Sequence, residues 1–226
     1  MIKQKIMKNI ILIGASDHCR YTIDIIEQEG KYNIIGILDK NLQEGDEFGG
    51  YKVLGYLKEL KNIISKFQVI GGIVAIGDNY TRKIVAEEIS QIIKSFHFVN
   101  AIHPSVIFGK EVEIGEGCLM MAGVIVNNNC IIGKHCFLAT KSSIDHDSTL
   151  GEYSSLSPGV TTGGRVLIGK CTAIGIGATI LHYINIGNNC VIGGNSLVNK
   201  EIGDGYVAFG IPAKPVKSRL PEDKYL

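Results

Sequence analysis

From Ile102 to Val198 an apolar residue recurs at every sixth position without insertion or deletion, and this period constrains the fold more than any other feature of the chain. The series runs Ile102, Phe108, Ile114, Met120, Val126, Ile132, Leu138, Ile144, Leu150, Leu156, Thr162, Ile168, Ile174, Ile180, Ile186, Ile192 and Val198, and Thr162 is its one polar member. Glycine often follows the anchor, as at Gly109, Gly115, Gly133, Gly151, Gly169 and Gly187, and the residue two before it is small or branched. A helix repeats about every 3.6 residues and an amphipathic strand every two, so neither explains a beat of six. A parallel β-helix does: each repeat is one flat side, and three sides close a coil. Inward side chains then meet at the axis, and glycine marks corners where a side chain would crowd the turn or φ must be unusual. Strand spacing gives a prism of roughly five coils, about 25 Å tall.

The 226 residues suffice for one large or two modest domains. A net charge of +1, with no basic stripe, points away from nucleic acid. No window of eighteen apolar residues occurs, so no membrane span is expected. The opening MIKQKIMKNIILIGAS has a short apolar run that leads into a turn. It reads as a first buried strand in a cytoplasmic protein, not a signal peptide, with Met7 an alternative start. Six cysteines occur without a C-x-x-C pair, and Cys118, Cys130, Cys136 and Cys190 occupy the small inward position of the repeat. They read as packing residues, not as disulfide or zinc ligands. Cys19 and Cys171 have no metal-like partner in sequence either.

Residues 1–100 follow another pattern. Apolar runs at Ile10–Ile13, Ile34–Leu38 and Ile73–Ile76, with a minor one at Lys52–Leu54, alternate with helical stretches near Tyr21–Glu29, Leu57–Ser65 and Thr81–Ile93. Alternating strands and helices imply a small parallel, Rossmann-like α/β sheet. Ligands bind such sheets at the carboxyl ends of the strands, which here carry Gly14-Ala15-Ser16, Asp39-Lys40-Asn41 and Gly77-Asp78-Asn79. A Gly turn opening a helix can hold a diphosphate, and Asp or Asn can take a ribose hydroxyl or a base edge. The same residues also fit a tight turn at Gly14 and an N-cap at Asp78. The chain thus divides into an α/β domain at 1–100, a β-helix of hexapeptide repeats at 101–200 and a cap and tail at 201–226.

GASDHCR, LDKN, AIGDNYTRK, the hexapeptide run and the closing GIPAKPVK together resemble the bacterial sugar acyltransferases of the left-handed β-helix superfamily. The likeness is to the branch that acetylates the 4-amino group of nucleotide-linked 4-amino-4,6-dideoxyhexoses, as in bacillosamine synthesis, with a sialic acid O-acetyltransferase branch beside it. The resemblance implies a left-handed coil, a homotrimer, and acetyl-CoA in the cleft between neighbouring prisms. The acceptor would be a UDP- or dTDP-linked amino sugar used in surface glycan (lipopolysaccharide or O-antigen) synthesis; a GDP-linked amino sugar and O-acetylation are the alternatives.

The resemblance places the catalytic histidine at His146, steadied by Asp147. It assigns Ser16, Asp17, His18, Asp39, Lys40, Asn41, Gly77 and Asn79 to the nucleotide sugar. To CoA it assigns Ser155, Gly164, Ile176, Gly194, Gly210, Pro212 and Lys214. The charges of Arg165 and Lys170 also suit CoA phosphates, with an ordinary surface lysine the default for Lys170. Three positions depart from the family pattern: Ser155 stands where a second histidine is common, Asp17 replaces a glycine, and Lys40 replaces an acidic residue. Asp17 would weaken a diphosphate site unless it turns away.

Amide formation from a thioester needs a base for the amine proton, and a histidine that is mostly neutral at pH 7 can serve. An adjacent carboxylate fixes its tautomer, and corner N–H groups can stabilise the oxyanion. Without the resemblance, His146 reads as a solvent-exposed corner residue. His182, at the same place in its repeat two coils on, is the competing base. His103 marks the domain junction, while His97 and His135 read as surface residues. The histidine spacings do not match those of β-helical carbonic anhydrases, so no metal is expected.

Overall fold

The computed structural model describes residues 7–225. Residues 1–6 of the opening stretch lie outside these, and the first strand, β1, spans Lys8–Ile13. It is followed by α1 (Asp17–Glu29), β2 (Tyr32–Leu38), β3 (Glu47–Phe48), β4 (Tyr51–Gly55), a 3-10 turn at Leu57–Glu59, α2 (Leu60–Phe67), β5 (Gly71–Val74), α3 (Asn79–Ile92) and β6 (His97–Phe98). The strands form one sheet in the order β3-β4-β2-β1-β5-β6. It is parallel throughout except for the β3–β4 hairpin. β1 is central, so the crossovers leave it in opposite directions and place α1 on one face, α2 and α3 on the other. Two separate apolar clusters confirm this. Cys19, Ile23 and Ile26 pack on Ile10 and Leu12, whereas Leu60, Ile63, Ala86 and Ile89 pack on Ile11 and Ile13.

Seventeen two-residue strands follow, β7 (Ala101–Ile102) to β23 (Leu197–Val198), one per hexapeptide. Every third strand stacks in parallel with residues eighteen apart paired, such as Leu119 with Phe137, Ile125 with Ser143 and Ile131 with Thr149. The three resulting faces enclose a core built from the anchors and the small residues two before them. The hairpin β24 (Tyr206–Gly210) and β25 (Ala213–Ser218) extends the face that begins with β7 and closes that end of the coil.

Corner geometry separates two roles that a reading of glycine alone merges. From Glu111 to Asn195, every third residue after an anchor has positive φ, whether it is a glycine such as Gly117 or a residue such as Asn129, Asp147 or Asn195. The glycine directly after the anchor is required for space instead. A Cβ on Gly115 would stand 2.6 Å from the backbone nitrogen of Lys134 in the next coil. The inward Ser, Thr and Cys residues also carry a polar ladder. Ser154 Oγ donates to Gly169 O at 2.6 Å and accepts from Thr172 N at 2.9 Å, while Thr172 Oγ1 donates to Gly187 O at 2.7 Å. Cys190 Sγ reaches Gly203 O at 3.0 Å. These hydroxyls and thiols satisfy corner groups that would otherwise be buried without partners.

The α/β sheet is stapled to the face carrying β7 and to the edge before it. Arg82, 2% exposed, donates Nε to His135 O, Nη1 to Ile76 O and Gly77 O, and Nη2 to Asn79 Oδ1 and Tyr153 O, all at 2.7–2.9 Å. All five donors of a buried guanidinium are thereby used. His135, expected on the surface, is buried (2% exposed) because its corner lies under this domain. Its ring stacks on Tyr153 and meets Phe98 edge-on. Burial, with Arg82 nearby, pulls its pKa down to about 4.

Candidate active site

His146 and Asp147 occupy a corner between the strands Ser143–Ile144 and Thr149–Leu150, on the edge that faces away from the α/β domain. Asp147 takes the left-handed conformation with φ 55°, which an Asp tolerates better than most residues. That turn brings its carboxylate back to the imidazole: Oδ2 lies 2.9 Å from His146 Nδ1. Asn129 Nδ2 donates to the other oxygen at 3.0 Å, and Arg165 lies 3.5 Å from Oδ2. The hydrogen bonds from His146 and Asn129 hold the Asp147 carboxyl below the usual range. An ionised Asp147 requires the proton on Nδ1, so Nε2 carries the lone pair. Nε2 lies over Gly164, where a Cβ would stand 2.5 Å from it.

His182 lies two coils further along this edge, one beyond Gly164. Its Nδ1 accepts the N–H of Gly164 at 2.9 Å, so its proton is on Nε2 and its lone pair is used. Of the two corner histidines, His146 alone presents an available base.

The carboxyl edge of the α/β sheet opens into a pocket of about 460 Å³ that gathers Gly14, Ala15, Ser16, Asp39, Lys40 and Asn41. Tyr56, Leu57 and Lys58 close one side, and Thr81, Val85 and Glu88 of α3 the other. Asp39 clamps the floor: Oδ2 accepts Ala15 N at 2.8 Å, and Oδ1 accepts Asn41 N at 2.7 Å and Leu42 N at 3.2 Å. Ser16 stands at the start of α1 and makes no side-chain cap bond, which leaves its hydroxyl available.

Other expected residues lie elsewhere. Asp17 turns outward, its side chain 90% exposed and 3.6 Å from Arg20, so its charge is directed away from the pocket. His18 is buried edge-on to Phe137, with its pKa lowered to about 3 by burial and by Arg82. Gly77 and Asn79 belong to the Arg82 network, and Asn79 Nδ2 also donates to Thr172 O at 3.2 Å. Asp78 caps α3 through Thr81 N at 2.8 Å.

The residues assigned to CoA divide among sites. Gly164 is on the His146 edge. Ile176, 63% exposed, and Gly194 stack one coil apart on another edge, and Gly210, Pro212 and Lys214 lie in the closing hairpin. Ser155 is buried on the face under the α/β domain and tail, because nine residues after a corner fall in mid-face. Lys170 pairs with Glu152 at 2.9 Å. Among the described residues no group of three or more His, Cys, Asp or Glu is placed to hold a metal, and no helix is long and apolar enough to cross a membrane.

Known proteins resemble the chain in both of its parts. The model of the PglD N-terminal domain matches residues 9–89. A GDP-perosamine N-acetyltransferase of Escherichia coli O157:H7 is 27% identical over 183 residues, covering 75% of this chain and 76% of the relative. The structure of a histidine-to-alanine variant of GDP-perosamine N-acetyltransferase from Caulobacter crescentus, with CoA and GDP-perosamine, superposes with a TM-score of 0.87 at 28% identity, over 95% of this chain and 99% of that one. Over most of its length the chain is similar to sugar N-acetyltransferases. The acetyltransferase domain of PglB from Neisseria gonorrhoeae in complex with acetyl coenzyme A matches with a TM-score of 0.84 at 25% identity, over 93% and 100% of the two chains.

Proposed function

We propose that the protein transfers an acetyl group from acetyl-CoA to the 4-amino group of a nucleotide-linked 4-amino-4,6-dideoxyhexose, with His146 as general base. The observation that carries this reading is the oriented His146–Asp147 pair, on a side chain 47% exposed, whose Nε2 lies over Gly164. The amine nitrogen attacks the thioester carbonyl, a C–N bond forms, and its proton passes to Nε2. The C–S bond then breaks, and the proton leaves with the CoA thiolate. Asp147 balances the imidazolium formed in between. Two solved relatives in which one histidine is replaced, by alanine or by asparagine, hold both CoA and GDP-perosamine, as expected where such a residue serves chemistry more than binding.

The nucleotide is held in the α/β pocket, its diphosphate at Ser16 and the first turn of α1, with Lys40 at the rim. GDP fits better than the UDP or dTDP favoured by the motifs alone. The relatives named GDP-perosamine N-acetyltransferase support it, and so does the pocket wall. Both oxygens of Asp39 are occupied by backbone N–H groups, whereas the Glu88 side chain makes no hydrogen bond or ion pair among the described residues. A carboxylate can accept both N1–H and N2–H of guanine; a uracil edge offers one donor flanked by carbonyls.

The pocket belongs to a domain that covers one face of the prism, and His146 lies on the edge between the other two faces. One chain therefore does not bring its own histidine to its own nucleotide pocket. A homotrimer solves this by setting the His146 edge of one protomer against its neighbour, with CoA in the cleft between Gly164 and the neighbouring edge bearing Ile176 and Gly194. Thiol release from acetyl-CoA, measured against GDP-, UDP- and dTDP-linked 4-amino sugars and free sialic acid, tests the reading. Turnover on GDP-perosamine is expected; activity confined to sialic acid would replace it with O-acetylation.

A further inference from the structure

Thr162 breaks the apolar series of anchors, and the fold shows what that break does. Its side chain points inward and is 4% exposed, where sixteen other coils' sides place hydrocarbon. On this face the residue after each anchor donates its N–H to the anchor carbonyl one coil on. Gly109 N reaches Val126 O at 2.7 Å, Asn127 N reaches Ile144 O at 3.0 Å, and Gly163 N reaches Ile180 O at 2.8 Å. At Asp145 this ladder is interrupted. Its N–H goes instead to the Thr162 hydroxyl, 3.0 Å away. The strand pairing records the same break: Ser143 pairs with Thr161, but Ile144 and Thr162 do not pair, while the strands on either side pair at two positions.

The interrupted residue is the one before His146. Asp145 Oδ1 accepts the His146 N–H at 2.9 Å and the Asn127 side-chain amide at 2.8 Å. A chain of hydrogen bonds thus runs from the core hydroxyl through Asp145 to the backbone of His146, and from its ring to Asp147. A hydroxyl in an apolar core is unfavourable unless bonded, so this threonine has no packing reason to be there; valine has the same shape.

We propose that Thr162 is a positioning residue, which holds Asp145 off the regular ladder and so sets the height and direction of the His146 imidazole. The proposal rests on the reading of His146 as the base. Without the hydroxyl, Asp145 N–H would close on the carbonyl of residue 162 or lose its partner, and the corner would move with it. A displacement of about 1 Å at the base can cost on the order of 100-fold in rate.

The test compares Thr162→Val and Thr162→Ser with wild type in acetyl transfer to GDP-perosamine, in thermal unfolding, and in NMR spectra. Thr162→Val is expected to lower kcat by about 10- to 100-fold, leave KM for both substrates little changed, keep or raise Tm, and shift the Asp145 amide and His146 Cε1–H resonances. Thr162→Ser keeps the hydroxyl and should retain wild-type kcat. An unchanged kcat in Thr162→Val, an equally slow Thr162→Ser, or a fall in kcat matched by a fall in Tm would overturn the proposal. If wild type itself turns over no amino sugar, the reading of His146 fails, and the resonance shifts still decide whether Thr162 sets the corner.

Discussion

Gly164 lies directly against the base nitrogen of His146: a methyl group on Gly164 would stand 2.5 Å from Nε2 and 2.7 Å from Cε1. The backbone of Gly164 is outside the left-handed region, so alanine is compatible with the chain but not with the imidazole where it stands. Gly164→Ala should fold with near-normal Tm and lose about 100-fold in kcat, read by thiol release. An alanine variant with full activity would show that the Nε2 position is not the reactive one.

Two buried histidines make stability depend on pH. His18 and His135 have pKa values lowered to about 3 and about 4, so the folded chain binds no proton on them where the unfolded chain already does. Between about pH 6.5 and 4 the unfolded state holds more protons, and stability must fall as pH falls. Thermal unfolding should show Tm declining on acidification through this window, with a shallower decline in His135→Gln. A flat profile from pH 7 to 4 would contradict the burial of both rings.

Arg82 gives a prediction about the junction. Replacing it with methionine leaves five acceptors without donors, His135 O and Tyr153 O among them. The cost should be about 3 kcal/mol or more, seen in chemical denaturation. Cleavage by protease between the α/β domain and the coil should also accelerate.

Glu88 gives one about the nucleobase. Titration calorimetry should show GDP binding about tenfold tighter than IDP, which lacks the 2-amino group, and Glu88→Ala should abolish that difference. A GDP-to-IDP ratio unchanged by the substitution would remove Glu88 from base recognition. Tighter binding of UDP than GDP would restore the pyrimidine acceptors.

What could be read from the chain in advance follows from how each signal is generated. The β-helix was legible because each side repeats the same physical demand: an inward anchor, a glycine with another coil's backbone 2.6 Å from where its Cβ would be, and a corner. The residues of the pocket floor were legible because strand ends in an alternating sheet converge. The start of α1 was not: it begins at Asp17, four residues before the apolar pattern, since its first turn buries His18 and Cys19 against the coil instead of Leu or Ile. The junction roles of Arg82 and His135 carried no signal, although Arg82 lies within AIGDNYTRK. The acceptors of Arg82 are mostly backbone carbonyls from distant segments, and main-chain groups have no identity in a sequence. Thr162 was visible as an exception, but its meaning lay in the N–H one coil away.

The most direct measurement is acetyl-CoA-dependent thiol release with GDP-perosamine by wild type and His146→Ala, alongside calorimetric titration of GDP into both. The account predicts steady turnover in wild type, a loss of about 100- to 10,000-fold in the variant, and equal GDP affinity in the two. Turnover by His146→Ala at the wild-type rate would contradict it.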